Sequence, residues 1–441
     1  MKKSFFALAI SLSSAGIVCL AQSNPNLENG IRPFGSYDVN SIDSVNLATG
    51  GLSLNLPILR YPERWPVPLT FKVVLTSKSW YINPHCLQIV SGNNKGDDNC
   101  TPWWQLSSTY DGTSLPNVGV AVVADNGAIV KQFSKYVTTF PATNQKIYSY
   151  TAIESDGSKH AMVPTGNLDD ILISSDGTAI TCFGCVATDP PINMSYSTYS
   201  RNGILAVSNE VIDPNSNVMS YSTDGTGLTD TLGRMFTTVS TTDFSGCTNP
   251  TLTTSATIIS GPGYKGNTAM IKQCFITLTL NTAFNDTDYY APPANASQMT
   301  PHEGIGIPSV VNTIILYDGN SWSSSPAWIF QYDNDGRNGN DNNGKPIVYG
   351  DLVQITLPTG GTISYTWGSH EICTTGGGWP GVTNMSRGVT SRTESAAGSP
   401  PIITTYTYGG GGIFAVSDGV NLTLHGFTGL GGTCSFYETE T

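Results

Sequence analysis

Apolar and polar residues alternate with a period of two in several stretches of the chain. Leu52, Leu54 and Leu56 alternate with Ser53 and Asn55; Ile363, Tyr365 and Trp367 alternate with Thr362, Ser364 and Thr366. The same pattern places Ile276, Leu278 and Leu280 opposite Phe275, Thr277 and Thr279, and Tyr406 and Tyr408 opposite Thr405 and Thr407. Successive side chains of a strand point to opposite faces, so each stretch predicts a strand with one apolar and one hydroxylated face. Thr, Tyr, Val and Ile also suit a pleated surface. Turn signals separate the runs: Thr49-Gly50-Gly51, Asp156-Gly157, Asp176-Gly177, Asp224-Gly225, Asp335-Gly336 and Thr359-Gly360-Gly361. Glycine accepts the positive φ that tight hairpins require. Beyond residue 21 no long segment carries apolar residues at i, i+3, i+4 and i+7. The pattern predicts an all-β protein built from many short antiparallel hairpins.

Composition narrows the class. Only 12% of the 441 residues are charged, against roughly 25% in an average domain. Ser, Thr, Asn and Gly take their place, and 39% of the chain is hydrophobic, enough for a core. A helical bundle needs Glu, Lys, Arg, Ala and Leu at helical spacing, and this chain lacks that pattern. With 20 basic against 32 acidic residues and a net charge of −12, there is no basic stripe for nucleic acid. The 8 Trp, 20 Tyr and 15 Phe argue against a disordered acidic chain.

The start of the chain predicts export. Lys2 and Lys3 precede an apolar run over residues 5–20, which ends at Cys19-Leu20-Ala21. Basic, apolar and small-residue segments in that order read as a signal peptide over 1–21, cleaved after Ala21. No other stretch reaches the ~18 apolar residues of a membrane-spanning helix, so the mature chain is expected to have no membrane span and to be secreted or on the cell surface. Of nine cysteines, eight follow the leader, an even set that suggests disulfides in an oxidising compartment. Pairing of near neighbours, Cys86 with Cys100 and Cys247 with Cys274, is one arrangement. Cys182 and Cys185 form a C-x-x-C flanked by strand-like sequence with no second pair, and read as structural rather than redox or zinc-binding. A boundary near Asp189-Pro190-Pro191 divides an N-terminal β region, 22–190, from a second β region, 191–441.

Two strings in the second region fit D-x-x-G-R: Asp230-Thr231-Leu232-Gly233-Arg234, and Asp333 to Arg337 in Tyr332-Asp333-Asn334-Asp335-Gly336-Arg337. A strand–Pro-x-Gly–strand block runs from Asp351 to Trp367. Together with Asp213-Pro214-Asn215-Ser216-Asn217, these units resemble the tyrosine–aspartate (YD) repeats of the Rhs family. Asn46 to Leu52 is similar to the N-x-x-T-G-x-L opening of exported members. The residues that carry the resemblance are Tyr332, Asp333, Gly336, Arg337, Asp230, Gly233 and Arg234. The chain departs from the pattern in the small number of repeats and in 338–350, which separates the second G-R turn from its continuation like an insertion. It also lacks the sequence that closes the family's shell and any toxin domain after it. The resemblance implies an exported β-shell or β-sheet assembly, truncated here, that contributes structure to a larger surface or secreted assembly. Its partners would be other shell segments or copies of itself, since an unfinished sheet leaves a pairing edge. Glycan or protein binding by an adhesin-like surface module is the alternative, with Trp103, Trp104 and the Trp379 loop as candidate sugar platforms.

No catalytic set emerges. His302-Glu303 and His370-Glu371 lack the second histidine of H-E-x-x-H, and there is no G-x-S-x-G elbow and no phosphate loop. The chain therefore reads as non-enzymatic and without a cofactor. Asp333, Asp335 and Asp341, among several Asn, are weak calcium candidates, since hard cations want clustered oxygens. The competing reading is a solvated loop whose Asp and Asn side chains bond their own backbone.

Overall fold

The computed structural model describes residues 37–39, 42–46, 50–64, 68–76, 80–87, 99–106, 119–125, 132–140, 145–153, 159–165, 171–175, 179–183, 197–199, 203–207, 209–224, 226–284, 305–372, 384–409, 413–417 and 422–426. These residues are nearly all strand or turn, with a single 3-10 turn at Tyr264–Gly266. The all-β expectation therefore holds, and the strands pair antiparallel, as short hairpins require. The leader lies outside the described residues. Among the described residues no helix is long and apolar enough to cross a membrane.

Two sheets build the core. The first has five strands in the order Tyr37–Val39, Asp43–Asn46, Leu52–Tyr61, Leu69–Thr76 and Ala121–Asp125. The excursion between its last two strands carries a separate hairpin, Trp80–Leu87 with Asn99–Leu106. The second sheet runs from Gln132–Phe140 to Leu422–Gly426. Its strand order can be written as a closed ring, yet each register joins strands that succeed one another along the sheet. Among the described residues no register joins the two ends, so the pairings describe an antiparallel meander. The 190/191 boundary lies in 184–196, outside the described residues, while the strands on either side of it, Thr181–Phe183 and Ser197–Tyr199, pair with each other.

The two sheets share one apolar core. Leu52, Leu54 and Leu56 are buried on alternate positions and join a cluster that includes Met219, Phe330, Ile355 and Tyr365 of the meander. The period-two readings at 52–56 and 363–365 thus mark the faces that the sheets turn towards each other. Tyr61 and Phe71 of the small sheet meet Phe236 of the meander with ring centroids 4.8 and 5.4 Å apart, a favourable edge-on and tilted arrangement.

Strand Thr268–Thr277 is covered on both faces at its centre. Ile271, Lys272, Gln273 and Cys274 are buried in succession, on both faces. Cys247 is disulfide-bonded to Cys274, with Cα atoms 5.9 Å apart, and packs with Ile315, Phe244 and Trp322 in a second apolar cluster. Lys272 is fully buried there. Its Nζ donates to Asp243 Oδ2 at 2.9 Å and to the carbonyls of Asp243 and Ser245, and it lies 4.3 Å from the centre of the Trp322 ring. The 242–252 segment covers what would otherwise be the outer face. Cys86 and Cys100 are register partners in the separate hairpin, although their side chains lie outside the described residues. Cys182 is also disulfide-bonded.

Candidate functional site

The polar chemistry of the molecule gathers at its turns and where the two sheets meet. Three five-residue turns share one construction. At 230–234 the Asp230 amide donates to the Arg234 carbonyl and the Gly233 amide to the Asp230 carbonyl, each at 3.0 Å. One carboxylate oxygen, Asp230 Oδ1, accepts the amides of Leu232 and Arg234 at 2.9 and 2.8 Å. Residues 213–217 repeat this, with Asp213 Oδ1 accepting the amides of Asn215 and Asn217 at 2.8 Å. So do residues 341–345, where Asp341 Oδ1 accepts the amides of Asn343 and Lys345 at 2.9 and 2.8 Å. In each, the fourth residue has positive φ: Ser216, Gly233 and Gly344. A Cβ added at Gly233 would meet nothing within 4 Å, so the glycine serves the backbone conformation rather than packing. Asp213 and Asp341 show the electrostatic consequence. Burial alone would raise the Asp213 carboxyl, but its Asn217 and Asn215 donors outweigh that and hold it low. The Lys345 amide is the leading cause that lowers Asp341.

The second D-x-x-G-R string is built differently. Asp333 is buried, and its carboxylate accepts the amides of Tyr349, Gly350 and Asp351 at 2.8, 2.8 and 3.1 Å, plus Asn338 Nδ2 at 2.8 Å. It closes the base of the 338–350 excursion, which explains why that segment separates the G-R turn from Leu352. Burial and the neighbouring Asp351 carboxylate push Asp333 up to about 7, against the pull of its donors. Asp351 is raised by burial, opposed by Arg387, whose Nε lies 2.7 Å from Asp351 Oδ2 and whose guanidinium covers the Tyr349 ring at 3.6 Å. Asp335 turns away to pair with Arg337 at 2.6 Å at the surface. Beside them, Tyr332 is buried, donates its hydroxyl to the Val311 carbonyl at 2.7 Å and accepts the Val120 amide at 3.2 Å.

Asp333, Asp335 and Asp341 thus serve three separate networks. Among the described residues no group of three or more His, Cys, Asp or Glu is placed to hold a metal ion. Sequence reasoning treated the three as one loop because Asp and Asn bind cations and cap backbone amides with the same oxygens. The D-x-x-G-x unit that 341–345 shares with 230–234 also occurs at 333–337, so the unit alone does not separate these roles.

Two further polar joints tie the small sheet to the meander. Asp43 is buried; its carboxylate accepts Arg392 Nε and Nη2 at 2.6 and 2.9 Å and the Tyr365 hydroxyl at 2.5 Å. Burial, followed by the Asp43 charge, raises the Tyr365 phenol far above its ordinary value. The second joint sits at the first D-x-x-G-R turn. Glu63 accepts Arg234 Nη2 at 2.8 Å and the Thr231 amide at 3.1 Å, and the Thr231 hydroxyl also donates to it. Sequence reading singled out Arg234 and Asp230 but missed Asp43, Glu63 and Arg392, because the partners stand 171 and 349 residues apart. The side chains of Trp103 and Trp104 and the Trp379 loop lie outside the described residues. No family model matches the chain, and no curated protein matches it either.

Proposed function

We propose that this is an exported, non-enzymatic structural protein of YD-repeat (Rhs-like) type, contributing a β-shell to a surface or secreted assembly. The observation that carries this reading is the recurrence of one aspartate-closed turn at 213–217, 230–234 and 341–345 within a continuous meander. Repetition of a turn that satisfies its own backbone lets hairpins be added to a sheet without a separate core for each. The Tyr332-Asp333 pair supports the reading from the side chains: the tyrosine accepts the Val120 amide beside the last strand of the small sheet and the aspartate closes a loop. The shell presents strand edges that suit pairing with further shell segments or with copies of this chain. Light scattering of the chain purified without residues 1–21 tests this. The reading predicts concentration-dependent oligomers, and a monodisperse monomer at all concentrations contradicts it.

One observation favours the glycan-binding alternative. Phe183 and Tyr199 form an edge-on pair, 5.6 Å between centroids, on an exposed strand face. Exposed aromatic faces stack on the C–H surfaces of sugars. Glycan-array binding that Tyr199→Ala abolishes would establish this alternative; an array without signal would remove it.

A further inference from the structure

The loop that leaves strand Leu52–Tyr61 meets the 230–234 turn at a cluster with more negative than positive charge. The side chains of Glu63 and Asp230 are both fully withdrawn from water, and one guanidinium serves them both. Arg234 gives Nη2 to Glu63 Oε1 at 2.8 Å and Nε to Asp230 Oδ2 at 2.5 Å; Nη2 also reaches the Pro62 carbonyl at 2.6 Å. Among the described residues, the other groups facing the cluster bring no second cation. Thr231 supplies its amide and hydroxyl to Glu63. Tyr61 lies under the Arg234 guanidinium at 5.2 Å with a phenol that burial raises. Arg64 joins through its backbone amide, 3.1 Å from Thr231 Oγ1, and as a residue it is exposed.

Two ionised carboxylates beside one guanidinium leave a net negative charge where water is excluded. A like charge so placed disfavours ionisation of its neighbour and so favours a proton on Glu63. We propose that this joint is a proton-sensitive latch: closed with a proton on Glu63, it loosens the N-terminal sheet from the meander as that proton leaves. Burial pushes the Glu63 carboxyl up, and the Asp230 charge adds to that push against the Thr231 and Arg234 donors. A carboxyl raised on docking holds its proton in the docked state and loses it more readily when released. The latch is therefore strongest in acid and weakens as pH rises above the ordinary carboxylate range. The proposal is independent of the shell reading and of any ligand.

The test is amide hydrogen exchange on the full chain and on Glu63→Gln, at pH values from the ordinary carboxylate range upward to about pH 8. Protection in Leu52–Tyr61, corrected for intrinsic exchange, is compared with that in Thr362–Ile372 of the meander. In the unsubstituted chain this relative protection should fall by up to about tenfold per pH unit while the proton is lost, the limit for a single proton. Glutamine keeps the shape of the protonated acid without its titration, so the variant should fold and its relative protection should stay flat. Parallel slopes in the two proteins would overturn the proposal. So would a Glu63→Gln chain that fails to fold or is already loosened in acid, since either result would show that the joint requires the charge.

Discussion

The string Asp-x-x-Gly-Arg occurs at 230–234 and again at 333–337, and the two copies do different work. In the first, the aspartate closes its own five-residue turn, and the arginine is paired both to that aspartate and to Glu63 of the other sheet. In the second, the aspartate closes a loop whose far end is sixteen to eighteen residues away, and the arginine pairs with Asp335 at the surface. The first arginine side chain is 24% exposed and its two partners not at all; the second is 39% exposed with a half-exposed partner. Part of the difference is inside the pentapeptide: its third residue is Leu232 in the first and Asp335, the partner of Arg337, in the second. The rest lies in the next stretch of chain: strand Met235–Thr241 begins directly after Arg234, whereas 338–350 comes after Arg337 and supplies Asp333 with backbone donors. The same D-x-x-G-R pattern is thus a joint in one place and part of a loop in the other, depending on its x residues and on which chain segment reaches it.

If buried joints rather than turn sequences hold the sheets together, the largest effect should come from Arg392, whose string resembles neither copy. Arg392→Ala would leave Asp43 buried with only the Tyr365 hydroxyl, and should cost about 3–5 kcal/mol in urea unfolding. A loss below ~1 kcal/mol would show that the small sheet is held by apolar contact alone. Next is Asp333→Asn, which cannot satisfy four donors with one carbonyl oxygen and should cost about 1–3 kcal/mol. Because Asp333 is raised to about 7, its contribution is fully present below the ordinary carboxylate range and lost as pH rises through about 7. Urea midpoints of the unsubstituted chain should therefore fall over that window, and the Asn variant should lack that part of the fall. A smaller effect is expected at Gly119, which has φ of +84° and where a Cβ would sit 2.9 Å from both the Tyr332 hydroxyl and Val310 Cβ. Gly119→Ala should cost about 1–2 kcal/mol through strain and crowding, and Tyr332→Phe in the same background should recover part of that loss in melting temperature.

Much of the fold is written in local pattern. The alternation at 52–56 and 363–365 gave the inward faces correctly because in each strand a single face packs against the other sheet. No alternation marks 268–274, where a disulfide-anchored segment with Lys272 over Trp322 covers the second face, and no periodicity within the strand records a cover supplied by another segment. The pairing of Cys247 with Cys274 was accessible to a nearest-neighbour argument. The joints were not. Asp43 and Arg392 look like ordinary surface charges within their own strands, and only the docking of the two sheets brings them together. Asp341 was legible as a turn residue through D-x-x-G-x, but the surrounding Asn made a cation loop equally readable.

Two strings of one D-x-x-G-R pattern should differ in energy because one bridges two sheets and the other does not. The most direct test of this claim is the urea unfolding free energy of Arg234→Ala and Arg337→Ala, each measured alone and with Glu63→Gln. Arg234→Ala leaves two buried carboxylates with one guanidinium fewer, and should cost about 3 kcal/mol, with a substantial part of that loss relieved when Glu63 is also glutamine. Arg337→Ala breaks an exposed pair and should cost under ~1 kcal/mol, adding simply to Glu63→Gln. Equal losses at the two arginines, or no coupling between Arg234 and Glu63, would contradict it.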